Sequence, residues 1–358
     1  MKIKKNTIAR SFLPYLIAKR SGLILALYLM ACQPEREPFF TVVLLPDTQY
    51  YTQSDRQAET YYAQTQYIAR HKEDLNVKFV IHLGDITENN ILEQWKIAQK
   101  AQHILDTAKV PYSMVPGNHD YPHGGHGGDR NTDLFNQHFG PDHFKNKPWY
   151  QGHFGNRNDN NYSFFESGDL KFLVMSLEFA PTNQALHWAN EIIRENPERR
   201  VIIATHCYLT HDGKYNNCPM GYDIEGNSGE EMWRKLVRRH SNIFLVVSGH
   251  VSDSERTDSL GVFGNTVYQV LTDFQGEPDE NGDPNGMGWL RTLTFFPGKN
   301  KIESKVFSVL PGVEAFTLDA IEPKRPGSKG DRVLNFTLEG YNMLSPTVYQ
   351  FEKHEDSL

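Results

Sequence analysis

Cysteine is scarce in this sequence, which has three cysteines among 358 residues. No two of them form a CxxC pair, and this argues against a structural zinc ribbon. The sequence has 15 histidines, so imidazole and carboxylate are the expected ligands of any bound metal. With 39% hydrophobic and 23% charged residues, the composition is that of a globular protein with one large domain or two small ones.

An excess of positive charge is also lacking. The 37 lysines and arginines face 44 aspartates and glutamates, which gives a formal net charge of −7. A protein that binds the phosphate backbone of a long nucleic acid is normally basic, so no nucleic acid is expected as a partner. A small phosphate ester is not excluded, because metal ions can supply positive charge locally.

The N-terminal segment has the composition of an export signal. The apolar stretch GLILALYLMA is too short to span a bilayer comfortably. It follows a basic region that contains Lys2, Lys4, Lys5, Arg10, Lys19 and Arg20. The tetrapeptide Leu29–Cys32 resembles a bacterial lipobox, which implies cleavage and lipidation at Cys32. An uncleaved signal anchor is the alternative.

We therefore predict a lipoprotein signal peptide over residues 1–32 and a short linker over residues 33–38. Gln33 follows the cysteine, which resembles outer-membrane sorting in Gram-negative bacteria. The protein is expected to be exported and bound to the membrane through lipidated Cys32. Its expected location is the cell envelope, at the outer membrane, the periplasmic face or the cell surface.

Internal repeats and low-complexity linkers are absent from the rest of the chain. Short apolar runs alternate with amphipathic stretches, which predicts an α/β domain over residues 39–310. The tract 121–161 is rich in Gly, His and Asn and is predicted to be mostly loop. Strand patterns dominate after residue 261, and residues 311–358 are predicted as a β-rich extension packed on the same domain. Strands are predicted at 40–45, 77–83, 111–116, 170–177, 200–205 and 242–248, and helices at 54–75, 90–109, 183–196 and 229–240.

Polar side chains follow five of the predicted strands. Ligands of open α/β sheets bind beyond the carboxyl ends of the strands, so these side chains are expected to converge. Glycines directly precede Asp85, Asn118 and His250, where a tight turn brings the backbone close to a ligand. The candidates, in chain order, are Asp47, Gln49, Asp85, Asn118, His119, Asp120, His206 and His250.

These pieces occur in the order D-x-Q, GD, GNHD, TH and GH, each after an apolar run. The ordered set resembles the calcineurin-like metallophosphoesterases, and the resemblance covers roughly residues 39–310. It implies an α/β fold, the four-layer αββα sandwich of two mixed β-sheets flanked by helices. PDTQYY and the later NGMGWLRTLTF are similar to the branch of the family that carries D-x-Q in place of D-x-H.

The resemblance implies two divalent metal ions bridged by Asp85. The second ion would take Asp85, Asn118, His206 and His250. The first would take Asp47, Gln49 and Asp85, with Ser252 where the family usually has a second histidine. The carbonyl oxygen of Gln49 suits Mn²⁺, Mg²⁺ or Ca²⁺ better than Zn²⁺. We favour Mn²⁺, with Mg, Fe, Zn and Ca as alternatives; Gln49 could instead only cap its loop.

The resemblance also assigns catalytic roles. His119 would protonate the leaving oxygen, and Glu88 would orient His119, with Asp120 as the competing candidate for that role. Together with bridging Asp85 these groups imply a metal-dependent phosphoric ester hydrolase, a phosphomonoesterase or phosphodiesterase. Its partner would be a small phosphate-ester substrate attacked by metal-activated water. The alternative is a non-catalytic surface lipoprotein that binds a phosphate ligand and has a degraded first metal site.

Other residues have open interpretations. His123 and His126 belong either to a substrate-facing lid or to a solvated turn. Cys207 and Cys218 either form a disulfide beside the metals or remain one buried and one exposed thiol. By position alone, Tyr208 and His211 are candidate substrate contacts. Trp289 is expected in the core and Arg291 in a surface ion pair.

Overall fold

The computed structural model describes residues 38–126, 128–278, 286–310, 335–339 and 349–352. The predicted signal peptide, Cys32 and residues 33–37 of the linker lie outside the described residues. In chain order the strands are β1 (Phe40–Leu45), β2 (Val77–His82), β3 (Tyr112–Met114), β4 (Tyr150–His153), β5 (Asn161–Ser167), β6 (Leu170–Leu177), β7 (Arg200–Thr205), β8 (Ile243–Ser248), β9 (Ser254–Leu260), β10 (Thr266–Thr272), β11 (Trp289–Phe296), β12 (Lys301–Ser308) and β13 (Phe336–Glu339). The α-helices are α1 (Asp55–His71), α2 (Leu92–Thr107), α3 (Asp133–Phe139), α4 (Pro141–Phe144), α5 (Asn183–Glu195) and α6 (Gly229–Lys235).

The described strands form two mixed sheets. The first has the order β13-β12-β11-β1-β2-β3, in which β1, β2 and β3 are parallel and the other neighbours antiparallel. The second has the order β4-β5-β6-β7-β8-β10-β9, in which β6, β7, β8 and β10 are parallel. The parallel strands of each sheet therefore end at a common edge.

Alternation along β7 shows how the layers are built. Val201 and Ile203 pack with residues of α5 and α6, whereas Ile202 and Ala204 lie in the core that joins the two sheets. Successive side chains of a strand point to opposite faces, so one strand serves both cores. Between the sheets, Phe40 lies 5.4 Å from Phe172, measured between ring centroids. The predicted arrangement of two mixed sheets flanked by helices is confirmed.

The tract 121–161 is more ordered than predicted. It contains α3, α4 and β4, and its polar run Asn158–Asn161 is buried. Asn158 donates to the backbone oxygen of Phe139, and Asn161 donates to that of Met114. Most of the tract is nevertheless loop, as predicted, and its buried Asn and Asp side chains supply hydrogen bonds that a regular element would otherwise supply.

Arg291 also differs from its predicted surface position. It is fully buried in β11, where its guanidinium donates to Thr272 Oγ1 at 2.8 Å and to the hydroxyls of Ser254 and Ser304. Burial lowers the pKa of Arg291 to about 9. Trp289 is buried, as predicted.

Two pieces of the predicted C-terminal extension are described. β13 pairs antiparallel with β12, and Phe351 forms a β-bridge with His240. The domain limits 39–310 and 311–358 remain predictions. Among the described residues, no helix is long and apolar enough to cross a membrane.

Candidate metal centre

Five strand ends bring their polar side chains to one place. Asp47 follows β1, Asp85 follows β2, Asn118 follows β3, His206 follows β7 and His250 follows β8. Direct contacts join these groups across both sheets, from β1 to β8 and from β2 to β7. The predicted convergence is therefore present in the structure.

Glycines make this close approach possible. A Cβ added to Gly249 would lie 2.2 Å from Asp47 Oδ2, and one added to Gly117 would lie 2.2 Å from Asp85 Oδ1. Asp85 and His250 themselves have φ values of 46° and 75°, in the left-handed region that is unfavourable for residues with a Cβ. The backbone thus holds both side chains in strained positions, as is common at functional sites.

Four of the predicted ligands form a compact group. Asn118 Oδ1 lies 3.1 Å from His206 Nε2 and 2.9 Å from His250 Nδ1, and these two nitrogens are 3.2 Å apart. Asp85 Oδ1 lies 3.2 Å from His206 Nε2. His206 Nδ1 donates to the backbone oxygen of Leu83 at 2.9 Å, which leaves Nε2 as an acceptor. Several acceptor atoms so close together cannot all satisfy one another, and a shared cation would satisfy them all.

A second group lies beside the first. Asp47 Oδ1 accepts a hydrogen bond from the backbone N–H of His250 at 3.0 Å. Asp47 Oδ2 and Gln49 Oε1 are buried and have no hydrogen-bond partner within the part of the chain that the structure describes. Unpaired buried oxygens are costly, so these atoms also fit a cation. Ser252 Oγ accepts a hydrogen bond from the backbone N–H of Gly276 at 2.9 Å, so this hydroxyl stabilises the loop that contains Gly276.

The pKa values of the predicted ligands reflect the crowding of these side chains. Burial, Asp273 and Asp85 raise the pKa of Asp47 well above its ordinary value. Burial is the largest influence on the pKa of Asp85 and raises it, but His206, His119 and His250 together leave that pKa below its ordinary value. Burial and the charge of His206 lower the pKa of His250 to about 3. Burial lowers the pKa of His206, but Asp85 and its other acceptors together leave that pKa above its ordinary value. A divalent ion would displace the protons held by Asp47 and His206, because metals bind carboxylates and neutral imidazoles.

Cys207 and Cys218 lie near His250 but cannot act as thiolate ligands. They form a disulfide that closes an interval of 11 residues. Of the two predicted alternatives, a disulfide or two free thiols, the structure shows the disulfide. The bridge packs in a small core with Tyr121, Phe179 and Ile224.

His119 and Asp120 have separate partners. His119 Nδ1 bonds the backbone oxygen of Glu88 at 2.8 Å and lies 3.7 Å from the Glu88 carboxylate. Glu88 is thus the partner of His119, but mainly through its backbone. Asp120 accepts from the backbone N–H groups of Ile86, Thr87 and Gly117. Burial lowers the pKa of His119, yet Asp85 and Glu88 outweigh it, so this pKa lies above its ordinary value.

An open cavity of about 500 Å³ lies over the ligand cluster. His126 stacks on Tyr222 at 4.9 Å, and Tyr222 Oη lies 3.4 Å from His250 Nε2. Tyr208 is fully buried against the second sheet, so its prediction as a substrate contact was wrong. The cavity is lined by Glu88, Asn89, Asn118, His119, His123, Gly124, His126 and Tyr222.

Tyr222 in the cavity wall and Asp273 at the same sheet edge were not predicted from the sequence. Tyr222 lies in an irregular segment with no local signal. Asp273 follows the apolar run of β10, the same strand-end pattern that marked Asp47. That pattern could have identified Asp273.

The fold and the ligand cluster are those of an α/β metallophosphoesterase. A family model described as calcineurin-like phosphoesterase matches residues 40–253, more than half of the chain. The chain therefore belongs to the calcineurin-like phosphoesterase family. This membership implies that the chain uses divalent metal ions.

Two curated relatives and one solved structure are similar to the chain. Uncharacterized protein YvnB of Bacillus subtilis (strain 168) is 30% identical over 282 residues, which cover 77% of this chain and 20% of the relative. Probable glycerophosphodiester phosphodiesterase GpdQ of Arcobacter nitrofigilis is 21% identical over 180 residues, which cover 48% of this chain and 55% of the relative. The chain thus spans less than two thirds of either relative.

Purple acid phosphatase PPD1 from yellow lupin (Lupinus luteus) seeds shares the fold. Its TM-score is 0.51 at 15% identity, over 88% of this chain and 57% of that chain.

Proposed function

We propose that this member of the family is a hydrolase of small phosphomonoesters or phosphodiesters with a dinuclear metal centre. The contact of Asn118 Oδ1 with His206 Nε2 and His250 Nδ1, at 2.9–3.1 Å, carries this proposal. These atoms and Asp85 would hold the second ion. Asp85, Asp47 and Gln49 would hold the first, since two of their buried oxygens have no hydrogen-bond partner.

Bound divalent ions would supply charge stabilisation and an activated water for attack at phosphorus. The chain supplies the remaining groups. The bond from Nδ1 of His119 to Glu88 leaves Nε2 available to hold the proton that passes to the leaving oxygen. The raised pKa of His119 favours the protonated form that this role needs. The cavity wall formed by His126 and Tyr222 would bind the organic part of the substrate.

We propose that the D-x-Q motif defines a first site with oxygen ligands, for which Mn²⁺ is favoured. Gln49 would coordinate through Oε1, which is buried and has no hydrogen-bond partner in the described ranges. Gln49→His should raise the affinity of the first site for Zn²⁺ relative to Mn²⁺, measured by competition titration. Unchanged relative affinities would exclude Gln49 as a ligand.

We also propose that the protein is a lipoprotein of the cell envelope, anchored through Cys32. The basic and apolar segments before that residue support this location. Cys32→Ser should move the protein from the detergent phase to the aqueous phase in a phase-separation assay. An unchanged distribution would contradict lipid attachment.

The enzyme activity is tested with an aryl phosphate and a bis-aryl phosphate in the presence of Mn²⁺. We expect turnover of at least one substrate, and Asp85→Asn should lose metal and nearly all turnover. Asp169→Asn, the same change in an exposed turn, is the matched control and should keep full activity. Binding of phosphate without turnover by the metal-loaded wild type would support the non-catalytic alternative.

A further inference from the structure

Asp273 lies at the same sheet edge as the predicted ligands. It directly follows β10, which is the parallel neighbour of β8 in the second sheet. Leu271 pairs with Ser248, so the residues after β10 leave the sheet beside Gly249 and His250. The Asp273 side chain is fully buried. A carboxylate therefore lies inside the protein next to the strand end that supplies His250.

Ser252 helps to hold the loop that carries Asp273. The backbone N–H of Asp273 donates to the backbone oxygen of Asp253 at 2.9 Å. The backbone N–H of Gly276 donates to Ser252 Oγ, also at 2.9 Å. Within the loop, Gln275 N–H donates to Asp273 Oδ1 at 2.8 Å. The segment after His250 thus positions the carboxylate of Asp273.

Asp273 leaves the sheet beside a residue that touches the first metal position. Gly249 approaches Asp47 so closely that an added Cβ would lie 2.2 Å from Asp47 Oδ2. Asp47 is 3% exposed and Asp273 is 0% exposed. Two carboxylates brought together away from water repel each other strongly, and a cation between them removes that cost. Asp47 Oδ2 and Gln49 Oε1, which have no hydrogen-bond partner among the described residues, show where the cation would lie.

We propose that Asp273 is a protein ligand of the first metal ion, in the place left by Ser252. This inference rests on the proposed dinuclear centre. The first site would then consist of Asp47, Gln49, Asp85 and Asp273, four oxygen ligands. Such a set selects Mn²⁺, Mg²⁺ or Ca²⁺ over Zn²⁺, because hard cations prefer oxygen. The second site, with two imidazoles, would keep a different preference.

The test is a count of bound Mn²⁺ in wild type and Asp273→Asn, by calorimetric titration and by the spin coupling of paired ions in electron paramagnetic resonance. We expect two ions and a coupled signal in wild type. Asp273→Asn should keep one ion at wild-type affinity and lose about 10- to 100-fold or more in affinity for the other, with loss of the coupled signal. Asp159→Asn, at another buried carboxylate that is bonded to Thr132 and Asn136 away from the ligand cluster, is the matched control and should bind both ions.

Two coupled ions at wild-type affinity in Asp273→Asn would overturn the inference while leaving the dinuclear centre intact. Fewer than two ions in wild type would overturn the dinuclear centre and this inference with it. The number of ions that are lost separates a ligand from a structural residue. Loss of both ions in Asp273→Asn would indicate a structural role and overturn the inference.

Discussion

His119 and Asp120 are neighbours in the sequence, yet their side chains face different parts of the molecule. His119 lines the cavity, and Asp120 is fully buried against backbone N–H groups. The GNHD motif identified both as polar residues at a strand end. The family resemblance named Glu88 as the partner of His119, but it could not show that the bond goes mainly to the backbone oxygen of Glu88. Nor could it show that Asp120 binds the backbone of Ile86 and Thr87, because the fold alone brings that turn close.

We expect His119→Ala to lower the turnover rate by about 10²–10⁴-fold, the usual effect of losing a proton-transfer group. Metal content should be unchanged, because His119 touches the cluster only through its backbone N–H, which donates to Asp85 Oδ1. Steady-state rates and metal analysis of the same sample measure both effects. His103→Ala, on the exposed side of α2, is the control. Full activity in His119→Ala would exclude His119 as the acid that protonates the leaving oxygen.

Asp159 makes the stability of the protein depend on pH. Burial and the nearby Glu178 raise the pKa of Asp159 from 3.8 to about 6. The folded protein therefore holds this proton to a higher pH than the unfolded chain, and the stabilisation is lost as the pH rises through about 6.

We expect Asp159→Asn to stabilise the protein more at pH 8 than at pH 4.5, by about 2 kcal/mol. The amide oxygen can still accept the hydrogen bonds from Thr132 and Asn136. Urea unfolding at the two pH values measures the difference. Asp169→Asn, in an exposed turn, should show none. An equal effect of Asp159→Asn at both pH values would contradict the raised pKa.

At the scale of the elements, the segment that follows His206 builds one wall of the cavity. The disulfide between Cys207 and Cys218 packs with Phe179 and Ile224, and Phe179 contacts Tyr222 at 4.9 Å. Composition and an expected oxidising compartment suggested the bridge. They could not place Tyr222, because its position depends on packing between distant segments.

Cys207→Ser/Cys218→Ser should lower the free energy of unfolding by about 2–3 kcal/mol, as expected for a closed loop of this length. We also expect weaker substrate binding, seen as a higher KM, because the wall that carries Tyr222 loses its support. Unfolding and kinetics should be measured with and without a reductant. Reductant should affect wild type and leave the double variant unchanged. Equal stability of the two proteins would contradict a supporting role for the bridge.

At the scale of the whole molecule, the parallel strands were readable from the sequence because their apolar runs are short and end in polar residues. The five strand ends of the site were predicted for this reason. The burial of Arg291 was not predicted, since it depends on the packing of the two sheets, which leaves no local pattern. Asp273 shows the same strand-end pattern, but its place near the ligands depends on β10 lying beside β8, which the pattern does not show.

Metal removal should destabilise the whole domain, because the ligands join strands of both sheets. We expect chelation to lower the melting temperature, and Mn²⁺ at 100 times its dissociation constant to restore about 2.7 kcal/mol per site. Differential scanning calorimetry with added Mn²⁺ measures this effect. Asp85→Asn should not respond to the ion. A wild-type melting temperature independent of Mn²⁺ would contradict binding to the folded state.

The contact between Asp47 and His250 spans 203 positions of the chain. A chain leaving the ribosome has Asp47 and Asp85 long before it has His250. These early carboxylates must wait, without their partners, until β8 has been made and packed. Capture of a metal by the full ligand set would therefore come late in biogenesis, after β8 has been made and has packed beside the parallel strands of the first sheet.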